Sequence, residues 1–119
     1  MAKLVAHGTE MFRYFNPTTG RLFAVMSDGV RLYKTAYSGW RVFSRKKPDV
    51  PMGRWVASME EKRNQVPAWA RSLKSIPSHA TLARWDMDGV CKTPTGHRVE
   101  PDGVGPDGVP SWLRVLRVI

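Results

Sequence analysis

Three histidines, one cysteine and several clustered carboxylates are the residues from which this chain could build catalytic or metal chemistry. His7, His79 and His97 have no spacing that marks a metal site, and each reads as an ordinary surface or satisfied histidine. Cys91 and His97 come near one another if residues 90–100 form a hairpin, which is what a thiolate and its base would need. No third group is placed to orient them, so a small buried thiol is the simpler reading. Glu60 and Glu61 are adjacent and diverge on a helix, which prevents an acid–base pair. Asp86, Asp88, Asp102 and Asp107 could gather around a divalent cation. They lack the alternating ligands, central glycine and closing glutamate of a calcium loop. There is no phosphate-cradling glycine loop either. These residues therefore point to a non-enzymatic protein with no cofactor and no metal.

The remaining chemistry is that of arginine and aromatic rings. Residues 9–47 alternate so that, read as strands, Phe12, Tyr14, Phe23, Tyr33 and Phe43 share a face with Arg21, Arg31, Arg41 and Arg45. Sheets of this composition bind nucleic acid by stacking bases on rings, each worth about 1–3 kcal/mol, while arginines follow the phosphates. Tyr33 and Phe43 are expected to sit opposite one another, flanked by an Arg31/Arg45 pair. Like charges directly opposite repel, and an anion between them would resolve this. The competing reading makes the five rings a second core layer under the C-terminal hairpin and final helix, with the arginines snorkelling to the rim.

That face depends on the turns. Ser27-Asp28-Gly29 and Tyr37-Ser38-Gly39 each read as three-residue hairpin loops with a left-handed glycine, pairing Met26 with Val30 and Ala36 with Trp40. A two-residue Asp28-Gly29 turn would mix the faces, because a slip of one residue flips every side chain. Pro17-Thr18-Thr19-Gly20 reads as a four-residue loop pairing Asn16 with Arg21. The opposite face then carries Leu22, Ala24, Met26, Val30, Leu32, Trp40 and Val42, with Lys34 as its misfit.

Pro48 to Pro51 is a linker. Met52, Trp55, Val56 and Met59 recur at helical spacing, with Glu60 to Arg63 on the polar side of a helix ending before Pro67. A second short helix is expected from Pro67 to Ile76, carrying Trp69, Leu73 and Ile76, and a third capped by Ser78 and bearing Leu82 and Trp85. All three would cover the aliphatic sheet face. Val90–Thr93 and His97–Glu100 read as a small hairpin around Pro94-Thr95-Gly96. Asp-Gly-Val at 28–30, 88–90, 102–104 and 107–109 is turn chemistry rather than a domain repeat. Ser111 caps a terminal apolar helix, which either completes the core or docks on a partner. The class is α+β, a single domain over 1–119: a four-stranded antiparallel meander at 9–47, short helices at 52–86, and a hairpin, turn-rich segment and terminal helix at 87–119.

With 119 residues and 42% of them hydrophobic, the chain is long enough for one core. No apolar run suits a membrane, Met1 to Ala6 has no hydrophobic stretch behind it, and the single cysteine fits a reducing compartment. A cytoplasmic protein is the expectation. Residues 1–50 hold nine basic residues, Lys3 among them, against three acidic ones, which is two-thirds of the net charge of +9. Arg45-Lys46-Lys47 is the densest point. Such a field favours a polyanionic partner.

The run Val99-Glu100-Pro101-Asp102-Gly103-Val104-Gly105-Pro106-Asp107-Gly108-Val109-Pro110-Ser111-Trp112-Leu113 resembles a C-terminal segment of small uncharacterised phage and mobile-element proteins. In that segment cysteine and histidine stand where this chain has Gly105 and Asp107, a set that with Cys91 and His97 suits a small zinc site. Two of the four ligands are missing here, so the loop is expected to be held by turn chemistry instead. The resemblance implies phage or mobile-element origin, hence a host cytoplasm, and indicates no particular activity.

The sequence thus leads to a binder of nucleic acid or a host nucleoprotein complex through Arg21, Arg31, Tyr33, Arg41, Phe43, Arg45, Lys46 and Lys47. The alternative is a phage-encoded inhibitor of a host or defence complex, such as an anti-CRISPR protein, whose basic face meets an acidic protein surface.

Overall fold

Two short turns start the sheet, and each is closed by a side chain. The computed structural model describes residues 7–119; Lys3 and the leader reading of Met1 to Ala6 lie outside the described residues. In the first turn Asn16 Oδ1 accepts from the amides of Thr18 and Thr19, and Gly20, at φ 71°, donates to the Asn16 carbonyl. Asn16 therefore faces Arg21, as expected. In the second, Asp28 Oδ1 accepts from the Val30 amide at 3.1 Å and Gly29 sits at φ 89°, a left-handed conformation open to glycine. The ladder above it runs from Leu22 opposite Lys34 to Val25 opposite Arg31, the register that a Ser27–Gly29 loop requires.

These turns link β1 (Glu10–Asn16), β2 (Arg21–Met26), β3 (Val30–Thr35) and β4 (Ser38–Arg45) into an antiparallel sheet of order β1-β2-β3-β4. The class is α+β. Leu22, Ala24, Met26, Val30, Leu32 and Trp40 are buried on the aliphatic face, while Val42 is exposed.

The third hairpin departs from expectation. Thr35 faces Ser38, so its loop is Ala36-Tyr37, and Gly39 has no positive φ. The Thr35 and Ser38 hydroxyls meet at 3.0 Å and Thr35 Oγ1 accepts from the Tyr37 amide, which closes the turn without a left-handed glycine. The ladder shifts at two places, between Thr35 and Tyr33 and between Leu32 and Arg31. Tyr33 consequently faces Arg41 rather than Phe43, Arg31 faces Ser44, and Arg45 faces Val30. Each bulge advances one strand by a residue, and the second reverses the side on which the end of β4 projects.

The chain divides into two compact units, Met1–Lys74 and Ser75–Ile119. In the first, α1 (Met52–Asn64) buries Trp55 and Met59 and carries Lys62 and Arg63 in its last turn. The helix expected from Pro67 is only a 3-10 turn, Ala68–Ala70. Serines at 72 and 75 and Pro77 leave little to propagate a helix there. Trp69 of this turn meets Phe15 on the aliphatic side of the sheet, at 6.1 Å between ring centroids. The helices do not all share that side: Arg63 of α1 lies over the ring of Phe12, on the aromatic face, at 4.6 Å.

The second unit begins with α2 (His79–Asp88), capped by Ser78 Oγ on the Thr81 amide and ended by Gly89 at φ 70°. The hairpin follows as β5 (Cys91–Lys92) and β6 (Arg98–Val99). Ser111 caps α3 (Trp112–Val115) through the Arg114 amide and donates to the Pro101 carbonyl. α2, β5 and α3 pack together, with Leu82, Cys91 and Leu113 almost fully buried, while Val118 and Ile119 are exposed. No helix among the described residues is long and apolar enough to cross a membrane.

Candidate nucleic-acid interface

The register places Tyr14, Phe23 and Tyr33 side by side on adjacent strands, with Arg21 and Arg31 on the same face. Tyr14 and Phe23 stack at 5.0 Å and are buried, whereas Phe43 is 39% exposed. Phe43 stands edge-on to Phe23 at 5.0 Å and to Tyr33 at 5.6 Å. The stacking partners of these rings come from the chain itself. The Arg21 guanidinium lies 5.3 Å from the centroids of both Tyr33 and Phe43, and that of Arg31 lies 4.5 Å from Phe43 and 5.0 Å from Phe23. Such contacts are worth about 0.5–1 kcal/mol each at exposed sites. The rings of this face thus carry a layer of guanidinium groups supplied by the chain itself.

Arg31 is fixed further by two hydrogen bonds, Nε to Ser44 Oγ at 3.2 Å and Nη1 to the Tyr14 hydroxyl at 3.0 Å. The bulge that moved Ser44 opposite Arg31 makes the first of these possible. Among the described residues Arg13 pairs with Glu10, and the His7 and His97 imidazoles lie beside Asp28 and Asp107. Among the described residues no carboxylate pairs with Arg21 or Arg31.

The remaining candidates are dispersed. Arg41 is exposed beside Tyr33. Arg45 shares the face of Val30, away from Arg31, which corrects the expected Arg31/Arg45 pair. Lys46 is half-buried, and its Nζ donates to the carbonyls of Lys47 and Val50 at 3.1 and 2.8 Å, so it ties down the linker, while Lys47 is exposed. The three-residue basic run is therefore not one patch.

A cavity of about 400 Å³ opens on the aromatic face, bounded by the β1–β2 turn, by Tyr14, Arg21, Phe23, Arg31 and Phe43, and by Lys62, Gln65 and Val66 at the end of α1. Lys62 and Gln65 were not among the residues singled out from the sequence. Helical spacing carried the signal, since Trp55, Met59, Lys62 and Val66 follow one stripe of α1 and its continuation.

In the second unit Gly105, Asp107 and His97 do come together. A Cβ on Gly105 would lie 3.0 Å from Asp107 Oδ1 and 3.4 Å from the Cβ of His97. The loop is tied by the Thr95 hydroxyl donating to Asp107 Oδ2 at 2.6 Å and the Val109 amide donating to Oδ1 at 3.1 Å. These two donors, with the His97 imidazole nearby, hold the Asp107 carboxyl below the usual carboxylate range. Cys91 instead faces Val99 and donates its thiol to the Lys92 carbonyl. No group of three or more histidine, cysteine or acidic side chains suited to a metal converges among the described residues.

No protein-family model matches this chain, and comparison with curated proteins and with solved structures returns no similar protein.

Proposed function

We propose that the protein is a small non-enzymatic binder of nucleic acid, free or within a nucleoprotein, acting through the arginine-coated face of the meander. The observation that supports this reading is the pair Arg21 and Arg31, seated on Tyr33, Phe23 and Phe43 with no carboxylate to neutralise them. Two guanidinium groups held at fixed positions without counter-charge favour an external anion, and phosphate matches their fork of donors. Arg41 beside Tyr33 and Lys47 at the strand end extend the field along the sheet.

The test is equilibrium binding of fluorescently labelled oligonucleotides to the full chain at low and at physiological salt. Binding that weakens about tenfold or more with salt, and falls further with Arg21→Ala, supports the reading. Absence of binding at low salt overturns it and directs the search to an acidic protein surface.

A further inference from the structure

We infer, resting on the reading just given, that the cavity at the end of α1 takes one unpaired nucleotide, so that the polymer recognised is single-stranded. Its volume of about 400 Å³ falls at the lower end of the roughly 300–1,000 Å³ of small-ligand sites, the scale of a nucleotide and not of a helix. Three structural walls border this half-open cavity: the turn after β1, the sheet face, and the last turn of α1 with the residues that follow. A duplex keeps its bases paired inside and offers only a ridge of phosphates. A strand with an unstacked base can insert one residue between such walls.

The chemistry of the lining fits the same guest. Arg21, Arg31 and Lys62 all reach the cavity, and no acidic side chain among the described residues does. Arg31 is anchored on Ser44 and Tyr14, so a base stacking on its guanidinium meets a surface already held in place. The Asn16 amide nitrogen, the Thr19 hydroxyl and Gln65 line it as neutral polar groups suited to a sugar or a base edge. One feature opposes an anion: the carboxyl end of a helix carries partial negative charge. Arg71 answers it by donating Nε to the Val66 carbonyl and Nη2 to the Asn64 carbonyl, both at 3.2 Å. The second cavity of this unit also carries cations, Arg13, Arg63, Arg71 and Lys74, but there Glu10 pairs with Arg13 and brings a carboxylate into the lining, and Arg71 is held by the carbonyls that end α1.

The experiment compares a labelled oligothymidylate, the matching oligouridylate and a hairpin duplex on the full chain, with thymidine 5′-monophosphate, thymidine and inorganic phosphate as competitors. Two variants accompany it: Lys62→Glu, an exposed change at the cavity rim, and Arg41→Glu on the same face outside the cavity. Circular dichroism melts confirm that both remain folded. The expected result is single-strand binding, displacement by the monophosphate and not by the nucleoside, and a loss of about tenfold or more with Lys62→Glu that exceeds the loss with Arg41→Glu. Duplex binding as tight as single-strand binding overturns the inference and leaves the basic-face reading standing. Single-strand binding insensitive to Lys62→Glu, or undisturbed by the monophosphate, does the same. Absence of binding to all three polymers at low salt overturns both.

Discussion

Arg31 shows how one side chain can be both structural and available. Its donors reach Ser44 and Tyr14 while its carbon lies over two rings, so the group is immobilised yet keeps its charge uncompensated. Arg31→Lys retains the charge and cannot reproduce that fork; we expect a stability loss of about 1–2 kcal/mol in urea unfolding, from the two hydrogen bonds. At Asp107 the relevant variable is pH. Its carboxyl is held low first by the Thr95 hydroxyl, then by the Val109 amide and, opposing burial, by His97. The unfolded chain restores the ordinary value of about 3.9. Its contribution to stability is therefore complete above that value and is lost as pH falls through the lower folded one. In Thr95→Ala the Asp107 titration should move up toward the ordinary value, followed by carboxyl carbon NMR. An unchanged midpoint would remove the hydroxyl as the main cause. The same Asp and Val positions recur at 28–30, where Asp28 also accepts from the Val amide two residues on. Asp-Gly-Val was legible as turn chemistry for this local reason. Its copies at 88–90 and 102–104 are used otherwise, Gly89 as a helix cap and Gly103 without a positive φ.

Among the elements, the hairpins separate what local residues dictate from what they do not. Gly29 is left-handed, and an added Cβ would come 3.1 Å from that of Lys46. Gly29→Ala should therefore cost about 1–3 kcal/mol in chemical denaturation. Gly39→Ala should stay within about 0.5 kcal/mol, because φ there is not positive and a Cβ meets nothing within 4 Å. Equal losses at both would return Gly39 to the left-handed role its neighbours suggested. The first two turns were readable because Asn16 and Asp28 close them from within. The third was not, since Ser38 and Gly39 also suit a glycine bulge, and the actual closure needs Thr35 and Ser38 to meet across the strands. Alternation still assigned Tyr33, Arg41 and Phe43 to the right face, as the bulge between Thr35 and Tyr33 offsets the change of loop and restores their parity. Arg45, beyond the second bulge, changed sides. In the second unit, Ser111→Ala removes the cap of α3 and the bond to the Pro101 carbonyl, and should lower stability by about 1–2 kcal/mol in the same assay.

For the whole molecule, the excess charge near the sheet was plain from composition, whereas the meeting of Arg21, Arg31 and Lys62 at one cavity was not. That required knowing that the end of α1 reaches the aromatic face, where Lys62 joins two arginines some thirty to forty positions earlier in the chain. If the proposed binding holds, each phosphate contact adds about 0.7 to the slope of log affinity against log salt for a single strand. Arg41→Ala should then flatten that slope by about this amount and weaken all sequences alike. The chain also separates two signals that most small binding proteins mix. All five tryptophans, Trp40, Trp55, Trp69, Trp85 and Trp112, lie outside the cavity lining, whereas Tyr14 borders it. Indole emission excited at its red edge should report unfolding and stay nearly silent on occupancy. Stability and ligand affinity can then be read in one cuvette as independent optical channels, with the ligand followed by its own label.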